Sequence, residues 1–135
     1  MNEGGAGAAR AVLIIGQDPD TVDFSDPAVP PGTTAAKIRA GLEAAQKQLS
    51  DLGHRADLVF TDRGETAEAV IEEQLSGNTY DCVVIGAGIR TVPSSLMLFE
   101  KIVNAVHRSA PQAAIAFNTR PDDTAEAAVR WLSPR

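Results

Sequence analysis

Three arginines, Arg63, Arg90 and Arg120, each follow an apolar run, and hydroxyl or amide side chains accompany them at Thr91, Ser94, Ser95, Asn118 and Thr119. Guanidinium forks with such donors beside them suit carboxylates and phosphates, which they meet through charge-assisted hydrogen bonds. Asp18, Asp20, Asp23 and Asp26 share one stretch, and their oxygens suit a hard cation such as Mg²⁺. Their spacing is not that of the calcium-binding loop, and aspartate beside proline also builds turns by bonding its own backbone. If these groups meet in the fold, two readings follow. The arginines either hold an anion, or they pair with the aspartates as a structural lock.

Gly86 and Gly88 stand directly behind the apolar run of residues 82–85. Glycines at the end of a buried strand let a ligand or a second backbone approach closely. The segment Gly86, Ala87, Gly88, Ile89, Arg90, Thr91 invites comparison with G-x-G-x-x-G, whose backbone amides hold a pyrophosphate. It departs from that pattern: Thr91 replaces the third glycine, the segment follows the third strand, and Pro93 separates it from the helix beyond. A structural turn, a smaller anion and a dinucleotide remain the alternatives at this point.

No G-x-S-x-G, C-x-x-C or H-E-x-x-H pattern occurs, and His54 and His107 form no metal pair. Glu72 with Glu73 fits a solvated helix face, and Asp122 with Asp123 fits a helix start. No catalytic residue, metal site or cofactor is therefore assigned.

The elements that must position these groups alternate. Residues 11–15, 82–85 and 113–117 are short apolar runs, the mark of strands buried on both faces, and residues 56–60, apolar but for Asp57, give a further strand. Between them lie amphipathic segments. Ile38, Leu42, Ala45, Leu49 and Leu52 recur at helical spacing, with Thr33 or Thr34 as N-cap and Gly53 as stop. Residues 65–75 form a second helix with Val70, Ile71 and Leu75 inward and Gly77 as stop, and residues 94–108 a third, ended before Pro111. Asp122 or Asp123 caps a fourth that runs to Leu132.

Alternating apolar strands and amphipathic helices imply an α/β three-layer sandwich, flavodoxin-like or Rossmann-like, with a four-stranded parallel sheet in the order 2-1-3-4. The centre of the sheet is expected at residues 12–15 and 83–85 and at Ile115. The topological switch then falls between strands one and three, and ligands bind outside the carboxyl ends of strands at such a point. The expected crevice is bounded by Gly16, Gln17, Asp18, Gly86, Gly88, Arg90, Thr91, Asn118 and Arg120. The proline-rich acidic stretch of residues 17–32 is longer than an ordinary connection, and such loops are often functional.

At 135 residues the chain makes one domain, residues 10–135, behind a flexible tail of residues 1–9. A composition of 44% hydrophobic and 22% charged residues is that of a globular protein with an aliphatic core. The formal charge of −6 repels nucleic acid and anionic membrane surfaces, so neither is an expected partner. The single Cys82 sits in the most apolar strand and reads as a buried, inert thiol, which suits a reducing cytoplasm.

The third helix carries apolar residues over about half its circumference, wider than the ~100° stripe one sheet face requires. Leu96, Phe99, Val103 and Val106 are expected to face the sheet. Leu98, Ile102 and Ala105 would then face a neighbouring helix or a second subunit, hence an expected homo-oligomer.

Residues 12–18 and 80–86 resemble the first and third strands of bacterial response-regulator receiver domains. In that family strand three ends in the phosphoacceptor aspartate and strand one in an acidic pair. Here Gly86 stands at the first place, Gly16, Gln17 and Asp18 at the second, and no fifth strand carries the family's lysine. The resemblance therefore implies the fold and not phosphoryl transfer. Val83, Val84, Ile85, Gly86, Ala87 and Gly88 resemble the opening of flavin and nicotinamide dinucleotide-binding proteins, over those residues alone. Residues 98–101 and 117–123 are similar to segments of small bacterial α/β proteins of no assigned function.

The expected function is a cytoplasmic, non-catalytic, self-associating module that binds a small anionic ligand or a protein partner at the C-terminal edge of the sheet. The alternative is an enzyme acting on a phosphorylated or carboxylated metabolite, with the arginines binding and Asp18, with or without Mg²⁺, in acid-base work.

Overall fold

Val12, Leu13, Ile14 and Ile15 are completely buried because they form the middle of a sheet covered on both sides. The structure, a computed structural model, describes residues 9–132. The expected tail therefore lies almost wholly outside the described residues.

The order of elements is β1 (Ala11–Gln17), α1 (Ala35–Asp51), β2 (Arg55–Thr61), α2 (Ala67–Ser76), β3 (Cys82–Ile85), a single turn α3 (Ala87–Arg90), α4 (Leu96–Ser109), β4 (Ala114–Phe117) and α5 (Thr124–Leu132). The four strands pair in parallel in the order β2-β1-β3-β4. This is the expected order, with β1 and β3 central and β2 and β4 at the edges; Ile115, expected at the centre, lies on edge strand β4 and is only partly buried. Strand alternation sends Leu13, Ile15, Val83 and Ile85 into one core with α2 and α4. Val12, Ile14, Cys82 and Val84 enter the other core with α1 and α5.

Local signals set the helix ends. The Thr34 hydroxyl accepts the Lys37 amide at 3.1 Å and caps α1. At the other end Gly53, at φ +93°, turns the chain left-handed. The Gly53 amide then donates to Ser50 O at 2.9 Å and the His54 amide to Leu49 O at 3.0 Å, closing the last turn. Leu52, expected inward, falls in this turn and is exposed. The Asp62 carboxylate, accepting from Gly64 and Thr66, holds the entry to α2.

Two elements depart from expectation. The segment behind β3 is helical at once, since α3 forms where a loop was expected. In α4, Leu98, Ile102 and Ala105 are buried in the same core as α2, while Leu96 is 57% exposed. Of the two covers expected for this flank, a neighbouring helix or a second subunit, the neighbouring helix α2 supplies it. A half-apolar circumference does not say which part of it meets the sheet, and the packing of α2 on the same face decided the rotation.

Candidate functional site

The carboxyl ends of β1 and β3 lie side by side. The Gly86 amide donates to Ile15 O at 2.9 Å, and a Cβ on Gly86 would stand 3.3 Å from the same oxygen. Glycine is needed there because two backbones approach closely. At Gly16 a Cβ would meet the Leu42 methyl at 3.1 Å, so this glycine lets α1 close over β1.

Above this floor lies a cavity of about 510 Å³, roofed by the loop after β1 and by the turn that leads into α4. Ile38, Leu42, Ile89 and Val92 supply an apolar wall; Thr21, Thr33, Ser94, Ser95 and Thr119 supply polar groups. Asp23, Asp26, Arg63 and Arg120 bring charge of both signs to the lining.

Of the residues anticipated from sequence, Gly16, Gln17, Gly86, Gly88, Thr91, Asn118 and Arg120 line this cavity. Asp18 and Arg90 are not part of its lining. Asp18 accepts the Asp20 amide at 2.9 Å and donates its own amide to Thr61 O at 2.7 Å, so it starts a turn at the end of β1. Arg90 spans from α3 to β4, donating to Asn118 O at 2.7 Å with its guanidinium 5.6 Å from the Phe117 ring centre. It braces the end of β4, and the cations at the cavity are Arg63 and Arg120.

Several lining side chains already hold the walls together. Asn118, only 2% exposed, accepts the Ala87 amide at 2.7 Å through Oδ1 and donates to Thr124 Oγ1 at 2.8 Å through Nδ2. It thereby joins the starts of α3 and α5. The Thr91 hydroxyl donates to Ala87 O at 2.8 Å, and Gln17 Nε2 donates to Thr21 Oγ1 at 3.0 Å. Gly88 differs from these. A Cβ there would meet nothing within 4 Å, so its lack of a side chain leaves open space along the wall.

The long loop is pinned. Arg63 Nε donates to Thr21 O at 2.7 Å, and its charge also acts on Asp23. Asp18 and Asp20 instead lie 3.9 and 3.7 Å from Arg39 of α1, whose guanidinium also sits 5.3 Å from the Phe60 ring centre. Asp23 accepts from the hydroxyl and amide of Ser25, which holds its carboxyl below the ordinary value, and Asp26 accepts from the Ala28 amide. These are aspartate turns that shape the loop. Arg120 pairs with its neighbour Asp122 at 2.6 Å. The expected lock is thus corrected in detail: the ion pairs of the acidic loop run to Arg39, and Arg63 adds one main-chain bond. Among the described residues no group of three or more His, Cys, Asp and Glu side chains converges on a metal position, so the four aspartates do not form the cation site considered above.

Two residues escaped the sequence reasoning. Arg39 sits one turn into α1, and the only signal was its place at a helix start that the topology brings to this edge. Gly41 lies against the turn before α5, where a Cβ would come within 2.6 Å of Pro121 Cβ. A glycine inside an otherwise amphipathic helix was its signal.

The chain matches no protein-family model, and no curated protein is significantly similar to it. The resemblances noted above therefore rest on the quoted residues alone.

Proposed function

We propose that this chain is a non-catalytic binding module whose ligand is a small molecule with an apolar body and an anionic end, held in the cavity over Gly16 and Gly86. The observation that carries this reading is the cavity itself, at the switch point where parallel α/β sheets hold ligands and of a size that encloses one small molecule. Its apolar wall suits a hydrocarbon or aromatic body. Arg63, whose Nε is committed to Thr21, lines the cavity beside Arg120, and their terminal nitrogens suit a carboxylate or phosphate. Asp18, the acid-base group of the enzyme alternative, is engaged away from the cavity, which favours binding over catalysis. A cytoplasmic setting and self-association belong to the same proposal. The buried single thiol supports the first.

A titration of the isotope-labelled protein with small aromatic and aliphatic carboxylates and phosphate monoesters tests it. The expected result is saturable shifts at Gly16, Gly86, Gly88 and Thr91, with a rise in melting temperature, since a ligand at 100 times its Kd adds about 2.7 kcal/mol. Gly88→Leu, which fills the open space on the wall, should abolish the shifts and leave urea unfolding unchanged. Shifts that appear only outside the cavity, or binding undiminished in Gly88→Leu, would overturn the proposal.

A further inference from the structure

The two edges of the sheet are unlike. Edge strand β2 carries Arg55 and Asp57, 3.5 Å apart, and charge of this kind protects an edge from pairing with another chain. Edge strand β4 is Ala114, Ile115, Ala116, Phe117, with no charge, proline or bulge. Beside it α4 presents Leu96, Phe99 and Val103 at helical spacing. The Phe99 and Phe117 rings lie 5.9 Å apart, Leu96 is exposed, and Phe117 is 38% exposed.

The main-chain groups along β4 are more specific than its side chains. The Ala114 amide donates to Asp81 O at 3.0 Å, so residues 114 and 116 turn their peptide groups toward β3. Alternation turns those of 113, 115 and 117 toward the free edge. Two of these outward groups are already engaged: the Ala113 amide donates to Ala110 O at 3.0 Å, and Phe117 O accepts from Arg130 at 3.2 Å. Ala113 O, Ile115 N, Ile115 O and Phe117 N remain without a partner among the described residues.

We infer that a second copy of this chain pairs here, β4 against β4 antiparallel, about a twofold axis at Ile115. In that register Ile115 exchanges both bonds with its copy, and residue 113 faces residue 117 of the other chain. The Phe117 amide then donates to Ala113 O in each direction. The remaining bond of each 113/117 pair, Ala113 N to Phe117 O, is not made, because the chain has satisfied both of these groups internally. The open groups are thus self-complementary, which commits the edge to a second copy and not to an unrelated peptide. The apolar stripe of α4 meets its own copy across the axis, and one continuous sheet crosses both protomers. With β2 guarded by charge, the pairing closes at two chains. This inference rests on the self-association reading and moves it from the flank of α4 to the edge of the sheet.

Size-exclusion light scattering of the full chain, joined to residue-resolved amide hydrogen exchange, tests it. The expected result is a dimer in which the Ile115 and Phe117 amides exchange about tenfold or more slowly than in diluted, monomeric protein. The Ala114 and Ala116 amides should stay protected at both concentrations. Ile115→Pro removes an outward N–H at a position where an edge strand tolerates proline, trims a side chain that packs on the core only in part, and should yield a folded monomer. A dimer with unprotected Ile115 and Phe117 amides would overturn the edge pairing while leaving self-association standing. A monomer at every concentration would overturn both. Protection of these amides in a monomer would show that the chain covers its own edge, and the inference would fail.

Discussion

Asn118 holds the carboxyl ends of the central and edge strands together with one amide group. Both its oxygen and its nitrogen are bonded, to the Ala87 amide and the Thr124 hydroxyl, in a position almost closed to solvent. Alanine there leaves a buried donor at the start of α3 without its acceptor. Such a loss costs about 1–3 kcal/mol, and urea unfolding of Asn118→Ala should show it as a lower midpoint with an unchanged slope. Gly41 poses the opposite problem. Gly→Ala inside a helix ordinarily stabilises by about 1 kcal/mol, yet the new methyl would overlap Pro121. Gly41→Ala should therefore lower the melting temperature, because neither α1 nor the proline-led turn is free to move aside.

The loop after β1 is the element on which the cavity depends. It contains neither strand nor α-helix beyond one turn at Pro19–Thr21, and its shape comes from aspartate turns and from contacts to Gln17, Arg39 and Arg63. The ion pairs with Arg39 are half exposed and long, so each contributes little. The Arg63 bond to a main-chain carbonyl is short and holds the loop above the floor of the cavity. Arg63→Ala should keep the fold and loosen this loop. Limited proteolysis would then place its first cuts within residues 22–32 at about ten times the natural rate, as low-stability segments open independently of the core. Ligand binding should weaken in the same variant.

Over the whole molecule, Cys82 reports on global opening, because it lies at the start of central β3 beneath α5. Burial pushes its thiol up to about 12, from an ordinary value near 9.0. Below pH 9 the thiol is protonated whether the chain is folded or not. Between pH 9 and about 12 the unfolded thiol ionises while the folded one keeps its proton. The unfolded state then binds fewer protons, and stability falls with rising pH by at most ~1.4 kcal/mol per unit from this group. A thiol reagent at neutral pH should label Cys82 only at the rate of global unfolding. Labelling under native conditions faster than the unfolding rate measured in urea jumps would show that β3 is reached by local opening.

The strands were legible because each is a largely apolar run too short for a helix, broken only by Asp57 in β2, and the parallel order followed from their alternation with amphipathic segments. Once the order was set, the ends of residues 11–15 and 82–85 had to share one edge, so the glycine floor of the cavity was legible too. Other features had no signature in the sequence. Which arginine reaches the acidic loop depends on how α1 is seated against β2, and Arg39, not Arg90, lies within reach. The rotation of α4 was set by α2, since a broad apolar stripe is buried equally well at several angles until a neighbour occupies one side. The free groups of β4 emerged only from its register on β3 and from the distant Arg130. Hydrophobic period is a property of the local backbone and is written in consecutive residues. The partner of a long polar side chain, and the faces left uncovered, are set by distances between layers, and those distances exist only once the layers have packed.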